Sequence, residues 1–589
     1  MCRKNLKKYD NIQMELIYVN IVLKINEIIK NLGLDENPEV LVSNRPDISD
    51  YQYNGSFALA KTLHKSPVLI ADEIVSKLKD NKMFKEVVNV NGFVNVTLSD
   101  EALVEYINEV INNFDINTYK INTDETIFLD YGGANVAKAL HAGHLRSPNI
   151  GEALKRLCEK VGYKTISDIH YGDWGRPMGL IICEIKRRYP TLDFFNPNLD
   201  NYPSDCPVSL EDLYTIYPQA SEKAKNDEDY LNEARDLTVR LQNKEKGIYD
   251  LYKSFTKLSI DDINDIYNKL NCTFDLFEGE KDADEYVKET LDFLKPYTTI
   301  SNGATIIDVK EETDKKEMPP VMLIKSDGGI IYDTTELATL YSRIKRFNVS
   351  KYFYLTDVRQ ELHFVQAFRA AYKTGLVPKD VSLEWFGFGT LNGPDGKPFK
   401  TRDGGVMPLR ELINIVKNET IKVIKDNIKD EDKDELAEVL AISAIKYADL
   451  LPNRTSDYIF DPVKFSDING KTGPYILYST VRMSSLLSKC DIEFSKYNKI
   501  STKEERDIII NLIKLRGVIE KSFNARSLNE ICEYIYKLTS SFNAFYSNHE
   551  VMSEKDVEIK ESYLSLIKLV YETNKYLLDI LAITLPDKI

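Results

Sequence analysis

Apolar side chains return every three or four residues at Leu23, Ile25, Ile28 and Ile29, the period that lays one face of a helix against a core. The same pattern predicts helices over 21–34, 55–64 and 68–79, while Phe93-Val94-Asn95-Val96-Thr97-Leu98 reads as a strand. Residues 1–120 are therefore expected to form a small α+β module, with the polar stretch 113–125 as its exit. From Thr126 to about Arg188 the order becomes strand, glycine-rich turn, helix, strand, which is the grammar of a parallel sheet covered by helices. A charged, helix-forming stretch at about 189–280, clearest over 220–242, reads as an insertion into that sheet domain. The sheet pattern resumes at Ala304-Thr305-Ile306-Ile307-Asp308-Val309 and runs to about Leu409. Beyond Leu412 the period is helical, including 435–450, 476–487, 501–519 and 563–581, so an all-α bundle is expected to close the chain. The expected divisions are 1–120, 121–410 and 411–589, with no internal repeat.

At 589 residues and 43 % hydrophobic content, each division has enough apolar side chains for a core of its own. No window reaches the roughly 18 uninterrupted apolar residues that a bilayer needs. The run Ile17-Tyr18-Val19-Asn20-Ile21-Val22-Leu23 is broken by Asn20 and continues into the first helix. The basic start has no signal core after it, so a soluble, cytoplasmic protein with no membrane partner is expected, and Met14 is an alternative first residue. The seven cysteines are scattered, with no Cys-x-x-Cys pair and no histidine at ligand spacing, which indicates neither zinc nor a disulfide framework. A formal charge of -15 argues mildly against a general nucleic-acid binder, although a large acidic enzyme can carry a local basic track.

Candidate chemistry begins at Asp130-Tyr131-Gly132-Gly133-Ala134-Asn135-Val136-Ala137-Lys138-Ala139-Leu140-His141-Ala142-Gly143-His144-Leu145-Arg146-Ser147. This stretch follows a strand and leads into an amphipathic helix (Ile150, Leu154, Leu157, Val161) that Gly162 is placed to end. Ser147-Pro148 has the form of an N-cap followed by a first-turn proline. A strand, a glycine turn and a helix N-terminus together present backbone N–H groups to an anion. His141 and His144, with Gly143 between them, add imidazole donors for an α-phosphate attacked in line by a carboxylate. Alone, such a pair is more often structural; its place after the first strand of a parallel sheet favours the phosphate reading.

His141-Ala142-Gly143-His144 resembles the HIGH signature of class I aminoacyl-tRNA synthetases. Its flanks, Asn135-Val136-Ala137-Lys138 and Leu145-Arg146-Ser147, with His170-Tyr171-Gly172-Asp173-Trp174-Gly175 one strand later, are similar to the arginyl members in particular. A second stretch, Phe388-Gly389-Thr390-Leu391 followed by Asp395-Gly396-Lys397-Pro398-Phe399-Lys400-Thr401-Arg402-Asp403-Gly404-Gly405, is by itself an ordinary solvated turn or a nucleotide-covering loop. It lies where class I synthetases carry their KMSKS loop, and Phe-Lys-Thr-Arg resembles the degenerate arginyl form. The resemblance implies that Lys397 replaces the missing first lysine and Lys400 keeps the role of the second. It also implies a Rossmann-like catalytic domain, with ATP near His141, Gly143, His144, Phe388 and Gly389 and Mg²⁺ arriving with the nucleotide.

A planar guanidinium with five donors is best recognised by fixed carboxylates and amides. Asp130, Asn135, Tyr332, Glu336 and Gln360 match the family's arginine-contacting positions, with His144 beside them; Tyr332 and Glu336, four apart, share a face at a helix start. Many arginyl enzymes carry Glu where this chain has Asp130 and Asp where it has Glu336. That exchange either conserves the total reach or alters amino-acid specificity, and leaves open a catalytically altered paralogue that binds tRNA or activates a different amino acid. The stretch from Asp50 through Gln52 and Asn54 to Lys61 resembles the N-terminal module of arginyl enzymes, which contacts the tRNA elbow. The stretch from Tyr447 to Arg454, with Ala448-Asp449-Leu450, looks like the start of the family's anticodon-binding domain. Tyr546 is a candidate to stack an anticodon base, while Phe542 and Phe545 read as core. The expected partners are arginine, ATP and the arginine tRNA, and the expected state is a monomer.

Overall fold

The computed structural model describes residues 21–43, 45, 47–112, 120–121, 123–393, 395–397, 406–424, 430–490 and 496–589. Helix α1 (Ile21–Lys30) buries Ile21, Ile25 and Ile29 as its period requires. Strands β1 (Val40–Val42) and β2 (Tyr51–Tyr53), helices α2 (Ser56–Leu63) and α3 (Pro67–Leu78), and strands β3 (Phe84–Val90) and β4 (Phe93–Leu98) complete the first module. Its antiparallel sheet has the order β1-β2-β4-β3. Helix α4 (Asp100–Asn112) leads out of it toward the rest of the chain.

The central fold opens with β5 (Thr126–Asp130), α5 (Arg146–Val161), β6 (Lys164–Asp168) and α6 (Arg176–Arg188). Ile127, Phe128 and Leu129 are consecutive and all buried, which marks a strand covered on both faces. Gly162 ends α5 in the left-handed region (φ 113°), as its position predicts. The inserted stretch forms α7 (Leu210–Asn226), α8 (Glu228–Gln242), α9 (Lys246–Lys269) and α10 (Glu280–Leu294). Where the sequence suggests one helix over 220–242, two meet at Asp227, whose carboxylate accepts from Tyr230 N at 2.9 Å and starts α8.

Strands β7 (Thr299–Ser301), β8 (Ala304–Ile307) and β9 (Val321–Ile324) form a separate antiparallel sheet. The expectation that Ala304–Val309 resumes the main sheet is thereby corrected. Asn302 and Gly303, both at positive φ, fold β7 onto β8 as a hairpin, so these strands pair locally. The main fold continues with α11 (Tyr332–Arg346), β10 (Lys351–Asp357), α12 (Glu361–Thr374), β11 (Ser382–Phe388) and β12 (Leu391–Asn392). Four parallel strands in the order β11-β10-β5-β6 make the central sheet. The chain leaves β5 toward β6 on one side and reaches β10 and β11 on the other, so the topology reverses between β5 and β10. Crevices at that point, beyond the C-terminal ends of the strands, are where such sheets bind ligands.

Helices α13 (Leu409–Ile421) and α14 (Asp430–Leu450), strand β13 (Tyr458–Ile459) and helices α15 (Pro462–Phe465), α16 (Gly473–Leu487), α17 (Lys503–Ile513), α18 (Leu515–Ala525), α19 (Asn529–Asn548) and α20 (Val557–Ile580) close the chain. The single helix expected over 501–519 is two, α17 and α18, joined at Lys514. The molecule is a Rossmann-like α/β fold between an α+β module and an all-α bundle. No helix among the described residues is long and apolar enough to cross a membrane.

Candidate active site

A cleft of about 610 Å³ lies at the switch point, lined from β5 (Asp130), the following turn (Gly133, Asn135, His141, Gly143, His144), α11 (Tyr332, Glu336) and the ends of β10 and β11. Gln360, Phe388 and Gly389 face the same space. Ser147 ties its floor together, accepting from Gly132 N at 2.8 Å and donating to Leu355 O at 3.0 Å. This use replaces the N-cap expected of Ser147. A 3-10 turn at Ala142–His144 runs into α5, which begins at Arg146, one residue before the serine.

The two histidines cap that turn reciprocally. His141 Nδ1 accepts from Gly143 N at 3.1 Å, and His144 Nδ1 accepts from His141 N at 3.0 Å. Nitrogens that accept from the backbone carry a lone pair, so each neutral ring bears its proton on Nε2. Burial lowers the His141 pKa; burial, with His141 close by (ring centroids 3.9 Å apart), lowers that of His144 to about 3. At neutral pH the pair is therefore two uncharged N–H donors fixed on a glycine turn, suited to developing negative charge on a phosphate.

Behind the cleft, Arg343 is fully buried and binds two carboxylates, Asp130 through Nη1 at 2.8 Å and Asp168 through Nη2 at 2.6 Å. His170, at the end of β6 with φ 47°, stands 3.6 Å from Asp168. Burial opposes charge on its ring, but the Asp168 carboxylate prevails and raises the His170 pKa to about 9. Burial pushes the Asp168 carboxyl up, and His170 with Arg343 more than reverses this. Asp130, Asp168 and His170 have ligand atoms close enough to surround a metal ion, but the Arg343 guanidinium bridges the two carboxylates and supplies the positive charge there.

Glu336, on the first turns of α11, and Glu280, the first residue of α10, have no cation at ion-pair distance among the described residues. Burial raises the Glu280 carboxyl to about 7, with Asp173 and Glu336 adding to the effect and His170 opposing it. Tyr332 is exposed over part of the residue, yet its hydroxyl is desolvated among carboxylates; burial and Glu336 push its pKa well up. Asp333 receives His363 at 2.9 Å, and the His363 ring packs 4.8 Å from that of Tyr332, which fixes the start of α11. The result is a cleft with two neutral imidazole donors at one side and, at another, carboxylates that make no ion pair among the described residues.

Most of the residues singled out in the sequence thus meet in one cleft. Lys397 is exposed on a tight turn, donating from its N to Asp395 at 3.1 Å, and is not among the cleft-lining residues; Lys400 lies outside the described residues. Asp50, Gln52 and Asn54 sit in the first module. The Asp50 carboxylate binds Arg506 of α17 at 2.8 Å and Leu98 N at 2.8 Å, Gln52 donates to Asn95 at 2.9 Å, and the buried Asn54 side-chain oxygen has no hydrogen-bond partner among the described residues. Tyr546 is partly exposed on α19, stacked on buried Phe542 and 5.7 Å from the Arg482 guanidinium. Sequence reasoning did not find Glu280, which sits at the boundary of the insertion with only Gly279 beside it as a signal, or Arg343, which looks like one more cation on a helix.

The family described as tRNA synthetases class I (R), catalytic domain, matches residues 107–462; the DALR anticodon binding domain matches 476–589; the arginyl tRNA synthetase N terminal domain matches 20–98. The stretch from Tyr447 to Arg454, expected at the start of the anticodon domain, falls within the catalytic match. The arginine–tRNA ligase of Alkaliphilus oremlandii is 40 % identical over 586 residues, covering 98 % of this chain and 100 % of that one. That of Agathobacter rectalis is 39 % identical over 594 residues, covering 97 % and 99 %. The crystal structure of arginyl-tRNA synthetase from Plasmodium falciparum superposes with a TM-score of 0.80 at 25 % identity, covering 97 % of this chain and 100 % of that one. The Thermus thermophilus arginyl-tRNA synthetase shares the fold, with a TM-score of 0.74 at 20 % identity over 97 % of this chain and 100 % of that one. A histidine turn, a cleft lined by carboxylates and whole-length likeness to arginine–tRNA ligases all lead to one assignment: the chain belongs to the class I arginyl-tRNA synthetase family.

Proposed function

We propose that the cleft makes arginyl-adenylate from ATP and L-arginine and that the arginyl group then passes to the 3'-terminal ribose of the arginine tRNA. The observation that carries this reading is the joining, in one cleft, of the neutral histidine pair with Glu280, Glu336 and Tyr332. The substrate guanidinium sits between Glu280 and Glu336, with the Tyr332 hydroxyl and Gln360 as further partners, and Asn135 beside the reacting end. Asp130 keeps its place at the floor. Because Arg343 already binds it, its main work is to shape the site, and the shorter carboxylate suits that arrangement. A lysine substrate leaves most of these acceptors unmet, which is a strong basis for rejection.

The ATP phosphates lie on the turn of His141, Gly143 and His144, and the adenosine lies toward Phe388 and Gly389. Mg²⁺ arrives with ATP as part of the substrate, since no carboxylate stands on the histidine turn itself. The arginine carboxylate bonds to the α-phosphorus as the bond to the α–β bridging oxygen breaks and pyrophosphate leaves. The Nε2–H groups of His141 and His144 steady the charge on the transferring group, and Lys397 and Lys400 neutralise the pyrophosphate. A terminal ribose hydroxyl then attacks the acyl carbon and AMP departs. The first module meets the tRNA elbow, the bundle meets the anticodon with Tyr546 stacking on a base, and the enzyme works as a cytoplasmic monomer.

ATP–pyrophosphate exchange with arginine, with and without the arginine tRNA, tests the reading. Exchange is expected to need arginine and tRNA, and to fall by a factor on the order of 10² or more in His144→Ala. Exchange undiminished in that variant overturns the assignment of the histidine turn.

A further inference from the structure

The helix that carries the histidine turn is held from behind by a buried charge. Arg146, 1 % exposed and two residues after His144, donates through Nε to Asp449 of α14 at 2.9 Å and through Nη1 to the carbonyl of Ser456 at 2.9 Å. The second Asp449 oxygen accepts from Asn149 of α5 at 2.7 Å, and the Tyr458 ring covers the guanidinium at 5.1 Å. Ser456 belongs to a strap, residues 453–460, that runs along the opposite wall of the cleft. Gly389 N donates to Arg454 O at 3.1 Å, Thr390 N to the Asp457 carboxylate at 2.7 Å, Tyr458 N to Thr390 O at 3.1 Å and Phe460 N to Asn392 O at 2.9 Å. A methyl group on Gly389 would stand 2.6 Å from the Ser456 carbonyl carbon, so strap and wall touch backbone to backbone. The far side of the turn is closed by Ala142 N donating to Met407 O at 2.9 Å and Leu409 N to Leu140 O at 2.9 Å.

One guanidinium therefore joins the two halves of the nucleotide site. Its Nε side faces the charge on α14, and its Nη1 side faces the strap that sets Phe388 to Leu391. We propose that Arg146, Asp449 and Asp457 are positioning residues for adenylate formation: they fix the Phe388–Leu391 wall, and Lys397 six residues beyond it, relative to His141 and His144. This rests on the reading that the histidine turn and that wall hold ATP. None of the three lines the cleft, so loss of any of them misplaces groups that touch the nucleotide without removing a contact to arginine. Displacements of about 1 Å at such a site cost on the order of 10² in rate.

The discriminating variant replaces both buried partners, Arg146→Met with Asp449→Leu. Removing a whole buried pair for apolar groups is often neutral for stability, whereas removing one partner is not. The double variant also takes one hydrogen bond from Asn149 and the donor from the Ser456 carbonyl, so it is expected to stay folded with a lowered melting temperature and to keep its KM for arginine. Its kcat for pyrophosphate exchange, counted per active site in the presence of tRNA, is expected to fall about tenfold, with a higher KM for ATP. Asp457→Ala, on an exposed side chain that does not bear on the core, is expected to give a smaller fall of the same kind. Asp457→Asn, which keeps the acceptor oxygen for Thr390 N, restores activity. Wild-type kcat in Asp457→Ala and in the folded double variant, beside a His144→Ala control that loses exchange, overturns the positioning role alone; should the double variant not fold, the Asp457 pair decides. Intact exchange in His144→Ala overturns the site reading beneath it and this inference with it.

Discussion

Burial raises the Glu280 carboxyl from the ordinary 4.5 to about 7, and that displacement has consequences for the substrate. In the free protein the group gains a proton as pH falls through about 7. With the substrate guanidinium beside Glu280 as proposed, binding favours the ionised form, expels a proton and is at full strength only above that pH. We predict that arginine affinity weakens below pH 7 by as much as about tenfold per unit. In the absence of arginine the sign for stability is the reverse: a carboxyl whose folded pKa is raised contributes stability at low pH that is lost as pH rises from 4.5 through about 7. The rise in melting temperature produced by saturating arginine is thus larger at pH 8 than at pH 6, and Glu280→Gln flattens the difference. An equal shift at both pH values in the parent protein rules out this role. At the same scale, the sequence makes His141, His144, Tyr332 and Glu336 legible because each stands in a short stretch whose spacing has a chemical meaning. Glu280 and Arg343 are silent there because their surroundings are assembled from β5, β6, α10 and α11, elements far apart along the chain.

Periodicity reports whether a segment is helical more reliably than where a helix stops. Over 220–242 the apolar period passes through Asp227 without interruption, but Asp227 is extended and its side chain caps the next turn, so the single expected helix is two. We predict that Asp227→Ala lowers stability by about 1 kcal/mol in urea unfolding and leaves pyrophosphate exchange unchanged. Loss of exchange without loss of stability would show that the inserted helices do more than pack. Ala304-Thr305-Ile306-Ile307 is similarly unambiguous as a strand, yet a run of alternating or apolar residues does not say which sheet it joins. The adjacent Asn302-Gly303 turn, a hairpin signal, decides for the local partner. Strand β5 is easier to place, since its consecutive buried apolar residues Ile127, Phe128 and Leu129 require cover on both faces. The cap expected at Ser147 fails for a related reason. Its hydroxyl is taken by Gly132 N and Leu355 O, contacts across the sheet that no local rule includes.

At the scale of the whole molecule, the first module is fastened to the bundle far from the cleft. Arg506 of α17 reaches Asp50 at 2.8 Å, Asp100 at 2.6 Å and Leu98 O at 3.0 Å, while Asn108 and Tyr497 exchange two hydrogen bonds of 2.7 and 2.8 Å. Asp50 therefore acts first on the placement of the module, and a carboxylate committed to a guanidinium is poorly suited to a phosphate backbone. If the module and the bundle grip opposite ends of one tRNA, their mutual placement sets tRNA affinity and leaves the arginine and ATP sites alone. We predict that Arg506→Ala raises KM for tRNA about five- to tenfold at unchanged KM for arginine, in line with a loss of a charge-assisted contact worth roughly 1–1.5 kcal/mol. Asp50→Ala should produce a smaller change of the same kind, because Arg506 keeps Asp100 and Leu98 O. The Asp50 contact is already lost in Arg506→Ala, so the double variant should resemble Arg506→Ala alone in a mutant cycle measured by tRNA KM. Additive losses would instead place Asp50 on the tRNA itself, independent of Arg506. Screening sharpens the comparison. The Arg506 side chain is 17 % exposed and that of Asp50 12 %, so their pairing persists as salt is raised from 50 to 200 mM and the Debye length falls from about 14 to about 7 Å, whereas a direct contact between module and phosphate weakens steeply over that range.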